Sequence, residues 1–512
     1  MGRVTTNSLA ISAAREASLG VLPVTPVWRG LEPNSINSFG STISKTARSP
    51  ISQSRQRRKG IVTDLDSSVE IEADLTLSHF RDYMEGFCFA VAIGAPVFTP
   101  TESAADAFTV PGLTAEEADR LVYGASAADA VTLLYSRGFS RGENNGLFVL
   151  AGAAAENDTS IAVTGGAIAE TPDASDDVEL AVAGIRAAAG DLQIDANGDL
   201  TSTALDFTTL GLNVGQWMHR GGVDATNQFF NEENNGFARI AAIETNKLVL
   251  ERHGEATVVD DGTDSGSGGT GLRIDLLFGQ WIRNVPTNHP DYREISTQFE
   301  LELPNLGDLG ADMYEYALGN YHDTVSINLP LSEKATVTYG FIGTDTVPPT
   351  AIRAANAADA LQPSETSAFG TSSDLARLVI HEVDETGLTT DFKSLTLTLA
   401  NNVAPEKVLG KLGARYMSTG NFEADVETQV LFTSAAVPAA IRQNRTLGLY
   451  FALRNDDGGV MCDFPSGTLD GGDREYPTNQ TVLLNGTFGA FEDPALGYSF
   501  SASLFPVLPE VA

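Results

Sequence analysis

Residues 69–75 alternate between apolar and acidic side chains with a period of two. The odd positions are apolar, and the even positions are the carboxylates Glu70, Glu72 and Asp74. Successive side chains of a strand point to opposite sides, so this period predicts a strand with one buried and one solvated face. The acidic face must meet water, because the burial of unpaired carboxylates is strongly unfavourable.

The same pattern returns 353 residues further along the chain, where Glu423, Asp425 and Glu427 take the acidic positions. A short helical stretch and an apolar strand follow each copy. A second likeness, in the same order, joins residues 335–345 to residues 481–493. Two ordered matches predict one β module that is present twice, with a chance likeness of acidic strands as the alternative.

Helical patterns are short and few. Capping residues and spacing predict helices over Ser78–Gly86, within residues 101–135 from an N-cap at Thr114, and over Asp308–Gly319. The apolar segment Phe87–Val97 is predicted to be a strand.

A weaker repeat lies between residues 131 and 272. The sequence Glu-Asn-Asn-Gly occurs at 143–146 and again at 233–236, each time after a strand that ends in Arg-Gly. Asn-Gly between strands favours a hairpin, because both turn positions of the common two-residue turn need positive φ. The repeat predicts two small inserted β modules on the outside, one within residues 101–180 together with short helices and one within 181–272.

These patterns predict a mainly β fold with two tandem modules, short helices and the inserted small β modules. Residues 1–60 are predicted to form an N-terminal arm. Module 1 is assigned to residues 61–100 and 273–345, a linker rich in Ala, Pro, Ser and Thr to 346–372, and module 2 to 373–512.

Charge separates the arm from the body. The 512 residues carry a formal net charge of −35, from 32 basic and 67 acidic residues, which excludes a basic surface extensive enough to grip DNA. The first 60 residues are nevertheless basic, and their charge indicates self-association with an acidic body; a solvated basic loop is the alternative. The candidate assembly residues of this arm are Arg48, Arg55, Arg57, Arg58 and Lys59.

Few residues offer site chemistry. Asp195 opens a loop with calcium-type spacing, but Leu200 stands where such a loop needs glycine, and a hairpin at Asn197–Gly198 accounts better for the pattern. Neither paired metal-ligand spacing of histidines nor a nucleophile motif occurs, and Cys88 and Cys462 are too few for a disulfide framework. We therefore predict no enzyme activity, no metal and no cofactor.

No apolar run approaches the roughly 18 residues that cross a bilayer, and the N-terminus lacks the apolar segment of a secretory signal. We therefore expect no membrane partner.

The chain resembles the major tail tube proteins of long, non-contractile-tailed phages (siphophages). The resemblance covers roughly residues 22–100 and 275–512 and leaves the inserts outside. It is carried by segments that match in spacing and residue type, namely Trp28–Asn34, Gly60–Gly86, Phe299–Asp345, Gly420–Phe432 and Met461–Leu504.

This resemblance implies β-sandwich modules that assemble into stacked rings around a lumen for genome DNA. Family rings use six modules, so two modules per chain favour a homotrimer with pseudo-sixfold symmetry over a homohexamer. The implied partners are other copies of the chain, the tape measure and other tail proteins, and DNA that passes without specific binding. The implied location is the virion tail, after folding in the host cytoplasm.

Under this hypothesis the basic arm bridges to the neighbouring ring, and six carboxylates line the lumen and repel DNA. These carboxylates are Glu70, Glu72, Asp74, Glu423, Asp425 and Glu427. Two alternatives stay open: a β-repeat surface adhesin that binds through the inserts at 101–272, and an acidic enzyme from a saline source, for which the sequence names no nucleophile.

Overall fold

The computed structural model of the chain describes residues 5–509 except 50, 52, 54–55, 57, 127, 252–256, 265–269, 305–310, 364–365, 383–391, 432–435, 477 and 479–480. Within these residues the fold is mainly β, as predicted, with one 17-stranded sheet, one 13-stranded sheet and two small hairpin sheets. The α-helices are α1 (Leu77–Cys88), α2 (Ala115–Asp119) and α3 (Ala436–Gln443).

The strands follow one another in four groups along the chain. The first group is β1 (Ala10–Arg15), β2 (Trp28–Leu31), β3 (Pro33–Arg48), β4 (Arg58–Asp74) and β5 (Ile93–Gly94). The insert holds β6 (Val97–Phe98), β7 (Glu102–Ala104), β8 (Ala107–Thr109), β9 (Val131–Arg137), β10 (Gly146–Leu150), β11 (Ser160–Thr164), β12 (Glu179–Arg186), β13 (Gln193–Ile194), β14 (Leu200–Thr201), β15 (Trp217–Arg220), β16 (Gly236–Glu244), β17 (Lys247–Glu251), β18 (Thr263–Asp264), β19 (Thr270–Gly271) and β20 (Asp275–Leu277). The third group is β21 (Gln280–Arg283), β22 (Ser296–Leu303), β23 (Met313–Leu329), β24 (Thr336–Gly343) and β25 (Asp345–Thr350). The last is β26 (Leu375–Glu382), β27 (Phe392–Ala400), β28 (Ala404–Lys407), β29 (Ala414–Ser418), β30 (Glu423–Leu431), β31 (Leu447–Asn455), β32 (Gly458–Glu475), β33 (Leu483–Ala490) and β34 (Ser501–Phe505).

Two sets of six strands in the large sheet have the same order. Module 1 runs β1–β22–β23–β24–β4–β3. Module 2 runs β26–β31–β32–β33–β30–β27. In both modules a helix follows the acidic strand, α1 after β4 and α3 after β30. All these pairs are antiparallel.

One hydrophobic core runs through both modules. Val69 of β4 stands opposite Phe341 of β24, and Val426 of β30 stands opposite Phe488 of β33. All four side chains are buried and belong to the same apolar cluster, to which α1 contributes Phe80, Met84 and Phe87. The inner faces of the two modules are therefore equivalent layers of one core.

Two predicted elements of module 1 need correction. The predicted helix at Asp308–Gly319 is wrong, because β23 begins at Met313 and pairs with β22 and β25. Strand pairing overrides the helical spacing here, since Tyr316 is buried against Trp28. The predicted strand Phe87–Val97 is wrong at its start, because α1 continues to Cys88, and the rest of the segment is interrupted, with β5 at Ile93–Gly94 and β6 beginning at Val97.

The helical prediction for residues 101–135 holds only for α2. The Thr114 hydroxyl accepts from the Glu117 N–H, and the Glu117 carboxylate accepts from the Thr114 N–H, which makes a complete capping box. The flanking segments form the strands β7, β8 and β9 instead.

The insert sheet has a palindromic strand order, β7–β8–β11–β10–β9–β12 and then β20–β15–β16–β17–β14–β13. Each half contains one copy of the Glu-Asn-Asn-Gly repeat. The two halves meet where β12 pairs with β20, so the insert is a pseudo-twofold pair of small β units.

The repeated Asn residues do not form the predicted two-residue hairpins. Gly146 has a positive φ of 128°, but Asn145 before it is extended, with φ −104°. The Asn145 side chain instead accepts from the N–H of Phe139 and donates to its carbonyl. Asn235 makes the same two bonds to Phe229. The repeat therefore encodes side-chain clamps on the preceding loop.

The insert packs on the outer face of module 2. Trp217 lies 4.6 Å from Tyr450 between ring centres, and the Arg239 guanidinium is 3.1 Å from the Asp463 carboxylate in a fully buried contact. A second contact joins the insert to α1, where Arg81 and Arg137 both hold Glu179. The insert is therefore fixed to the body through both apolar and ionic contacts.

Candidate functional site

One eight-stranded sheet crosses both modules, in the order β3–β4–β24–β23–β27–β30–β33–β32. The modules are joined where residues 324–329 of β23 pair with residues 395–400 of β27. One face of this sheet contributes to the core, and the other face carries polar side chains.

All six carboxylates predicted from the sequence lie on this polar face. On β4, the apolar positions 69, 71 and 73 are buried, while Glu70 is exposed and Glu72 and Asp74 are half-buried. On β30, Ala424 and Val426 are buried, and all three carboxylates are exposed. The structure therefore brings both acidic strands to one surface, with three strands between them.

The residues directly opposite the carboxylates are small and uncharged. Glu70 faces Gly340 and Glu72 faces Thr338 on β24, and Asp425 faces Thr398 on β27. Within the described strands, no cationic residue stands opposite any of the six. This face of the sheet is therefore anionic, and the residues opposite its carboxylates are small and uncharged.

Module 1 partly neutralises its acids. Asp74 accepts hydrogen bonds from Lys334 and Asn34, and Asn37 donates to Glu70. Partial burial acts to raise the pKa of Asp74, but the hydrogen bonds from Lys334 and Asn34 outweigh it and lower the pKa.

In module 2 the carboxylates lie close enough to one another to interact. Desolvation raises the pKa of Asp425, and the neighbouring charges of Glu423, Glu427 and Asp470 raise it further. Asp470 comes from β32, two strands from β30, so the anionic surface extends beyond the residues that sequence alternation predicts.

The two outer edges of the eight-stranded sheet lie at β3 and at the second half of β32. Among the described residues, β3 pairs only with β4, and residues 468–475 of β32 pair only with β33. Open edges of this length offer backbone groups for pairing with another chain.

Beyond Ser41 and Ser67, β3 and β4 continue as a long hairpin past the neighbouring strand β24. Arg48, Arg58 and Lys59 of the predicted assembly arm lie exposed on it. Arg55 and Arg57 fall outside the described residues. Much of the predicted arm is therefore paired strand.

The remaining candidate chemistry has structural explanations. Asp195 accepts from the N–H groups of Asn197 and Asp199 in the predicted hairpin, and Lys247 bridges Asp195 and Asp199. In the described parts of the chain no group of three or more His, Cys, Asp or Glu side chains has metal-binding geometry. Burial raises the pKa of both the Cys88 and Cys462 thiols.

The β23–β27 junction and the two open edges were not predicted from the sequence. A signal was present, because Thr324–Leu329 and Leu395–Ala400 both alternate between hydroxyl or amide side chains and apolar ones. Period two identifies such strands but does not name their partners.

The architecture is that of a β-sheet protein with an anionic face and edges suited to self-association. No helix in the described residues is long and apolar enough to span a bilayer. The model of the phage tail tube protein family matches residues 6–486, and the chain belongs to this family. It is thus a structural tail tube protein of the virion. No curated protein matches the chain.

Proposed function

We propose that three copies of this chain close into a ring of the tail tube of a siphophage, and that its lumen is the anionic sheet face. The β23–β27 junction is the observation that carries the proposal, because it is a join between modules within one chain. In the strand orders of the two modules, β32 corresponds to β23 and β3 corresponds to β27. The equivalent join between chains therefore pairs β32 of one copy with β3 of the next.

The register of that join follows from the internal one. Asn328 on β23 faces Thr396 on β27. If Phe341 of β24 is matched with Phe488 of β33, the strand pairings make Glu475 the counterpart of Asn328, and Ser38 the counterpart of Thr396. Ser38 of one copy is therefore placed opposite Glu475 of the next, on the lumen side.

Closure of three chains gives a ring of six modules and a continuous barrel. A closed barrel has no edge left to aggregate. The pseudo-sixfold homotrimer is preferred to a homohexamer because each chain already supplies two modules in one sheet.

The wall charge suits a DNA conduit. Six carboxylates per chain give eighteen per ring of three, facing a polymer with one negative charge per roughly 1.7 Å of its axis. Repulsion screened over about 8 Å keeps DNA away from the wall, so that it passes without binding. Rings stack into the tail, in contact with the tape measure and other tail proteins, after the chains fold in the host cytoplasm.

Cross-linking tests the ring. Ser38→Cys combined with Glu475→Cys should give disulfide-linked trimers in assembled tubes, because the two positions are at opposite edges of each chain's sheet and cannot meet within it. Ser38→Cys combined with Thr468→Cys, out of register on the same strand, is the control. A covalent hexamer, or equal cross-linking of the control pair, would contradict the trimer or the register.

Charge reversal tests the lumen. Lysine at all six carboxylates should stall DNA release from triggered virions, because a basic wall binds phosphate. Six matched changes to lysine on the insert surface, at Asp119, Glu143, Glu156, Asp173, Glu232 and Glu233, should leave release unchanged. Normal release from tubes with the reversed lumen would show that the carboxylates face elsewhere.

A further inference from the structure

A short hairpin of module 2 covers the rim of module 1. This short hairpin comprises β28, β29 and the turn between them, residues 404–418. Its Ala414 and Met417 are buried in a cluster with Phe89 and Tyr321. Lys407 reaches across to β4 and lies 2.7 Å from the Asp64 carboxylate and 2.5 Å from that of Asp66.

This contact is both apolar and ionic. Hydrogen bonds to Asp64 and Asp66 raise the pKa of Lys407, and the hydrogen bond from Lys407 lowers the pKa of Asp64. The hairpin occupies the connection between β27 and β30. In module 1 the connection between the equivalent strands β3 and β4 is the long hairpin.

Within the described part of the chain, the short hairpin reaches the long hairpin at Asp64 and Asp66. Other side chains at the base of the long hairpin stay uncovered, since Ile43, Ile61 and Val62 are 49%, 61% and 46% exposed. Lys45 and Arg48 are exposed on the same segment. Exposed aliphatic side chains beside basic ones mark a surface that is covered in an assembly.

Module 2 has an uncovered rim where module 1 has a covered one. When the match of Phe341 with Phe488, and of their partners Val69 with Val426, is continued past the paired residues, Phe422, Glu423 and Phe491 become the counterparts of Leu65, Asp66 and Thr344. Phe491 is 41% exposed. Together with Ala490 and Glu492, these residues border a cleft of about 540 Å³. The rim thus repeats the features that the short hairpin covers, an apolar surface with a carboxylate beside it.

We propose that the base of the long hairpin of one copy docks on this module 2 rim of its neighbour in the same ring. The inference rests on the proposed ring. Its partner is a second copy of this chain, and the occupied rim of module 1 is the internal template. Basic Lys45 and Arg48 meet acidic Glu423 and Glu492, as Lys407 meets Asp64 and Asp66 within one chain.

The proposed join of β3 and β32 delivers the hairpin to the rim. With Ser38 opposite Glu475 and one residue of β32 taken up by the bulge between Gly471 and Asp473, the antiparallel register carries Lys45 to the level of Gly467. Gly467 pairs with Ala490, the residue before Phe491. The hairpin base therefore reaches the rim without any change in backbone course, and the basic tip around Arg58 is left for the next ring.

Disulfide mapping tests the docking in assembled rings. Phe491→Cys is combined in turn with Ile43→Cys, Lys45→Cys and Val62→Cys, and at least one pair should give covalent trimers. Native thiols do not compete, because Cys88 and Cys462 are buried. Phe491→Cys with Val24→Cys is the control, since Val24 is 98% exposed and lies outside the hairpin.

The outcomes separate the two proposals. If the Ser38–Glu475 pair cross-links and none of the three hairpin pairs does, the docking is wrong and the ring stands. If neither cross-links, both fail. A second variant gives an independent measure: Phe491→Asp should raise the concentration needed for assembly at least tenfold, whereas Phe491→Tyr should leave it unchanged. Equal assembly of the two variants would overturn the docking.

Discussion

The two modules share a strand order but differ in what covers their outer sheets. Short segments of the chain itself cover module 1: Trp28 packs on Tyr316 and donates to the Ala355 carbonyl, and Arg353 pairs with Glu300. The insert covers module 2, where Trp217 packs against Tyr450. The inner faces have stayed alike while the outer faces have diverged.

This difference shows where the constraint lies. An inner strand must pair on both sides and must place apolar residues on one face and solvated polar residues on the other. Its alternation of apolar and polar positions is therefore retained after duplication. An outer face needs only some apolar cover, which different segments can supply. Matched substitutions in the two modules can break or sharpen this comparison.

The largest effect is expected in the shared core. Phe341→Ala in module 1 and Phe488→Ala in module 2 should each lower the free energy of unfolding by about 3–5 kcal/mol, because both remove a buried ring. Since one cluster contains both rings, urea unfolding followed by tryptophan fluorescence should shift as one transition. Separate transitions for the two modules would show that their cores are independent.

The insert contact of module 2 comes next. Arg239→Met should cost about 3 kcal/mol at pH 7, because it leaves the Asp463 carboxylate buried without its partner. Arg239→Met combined with Asp463→Leu should recover most of that loss in the same urea measurement. If the double variant is no better than the single one, the ion pair is not what holds this interface.

Low pH should weaken the contact between the insert and α1. Glu179 is buried between Arg137 and Arg81, which lower its pKa to about 2 from an ordinary 4.5 despite its desolvation. Because the native pKa is the lower one, the stabilisation is complete above about pH 4.5 and is lost as pH falls towards 2, on the order of 3 kcal/mol.

The difference in stability between wild type and Glu179→Gln should therefore shrink from pH 6 to pH 2.5. The control is Glu116→Gln, which alters an exposed pair with Arg120 and should show little difference at either pH. A difference for Glu179→Gln that does not change with pH would assign its effect to packing.

The smallest effect distinguishes the two acidic strands. Asp425→Asn should stabilise the isolated chain at pH 7, because the raised pKa of Asp425 shows that its charge is disfavoured in the native state. Asp74→Asn should destabilise it, because the pKa of Asp74 is lowered. Each substitution should alter the free energy of unfolding by at most about 0.5 kcal/mol, because solvent screens these charges. Shifts of the same sign in thermal unfolding would refute the electrostatic contrast.

The sequence predicted the local features that carry a clear period. Alternation identified β4 and β30 with the correct buried faces, and the Thr114 cap identified α2. The helix α1 was predicted in the right place, but its cap is Thr76 and not Ser78, and it extends past Gly86 to Cys88. It did not fix the alignment between copies: matching Phe341 with Phe488 makes their partners Val69 and Val426 counterparts, four residues further than the alignment of the acidic triplets. A period of two matches itself after every even shift, so alternation alone cannot choose.

Long-range pairing lay beyond the local pattern. The junction of β23 with β27 joins segments about 70 residues apart, and nothing in either segment names the other. The helical spacing at Met313 and Tyr316 was misleading because pairing with β22 decided their structure. The candidate site was thus predictable as two acidic strands, but not as one continuous wall with two open edges.

The contact of the insert with module 2 has an evolutionary consequence. Tyr450, Met461 and Phe505 form an apolar patch under the insert, and the buried Asp463 depends on Arg239 for its countercharge. A descendant that lost the insert would at once expose this patch and leave the Asp463 carboxylate without its countercharge. Loss would therefore require several compensating substitutions in β31, β32 and β34, so the insert is easier to elaborate than to lose.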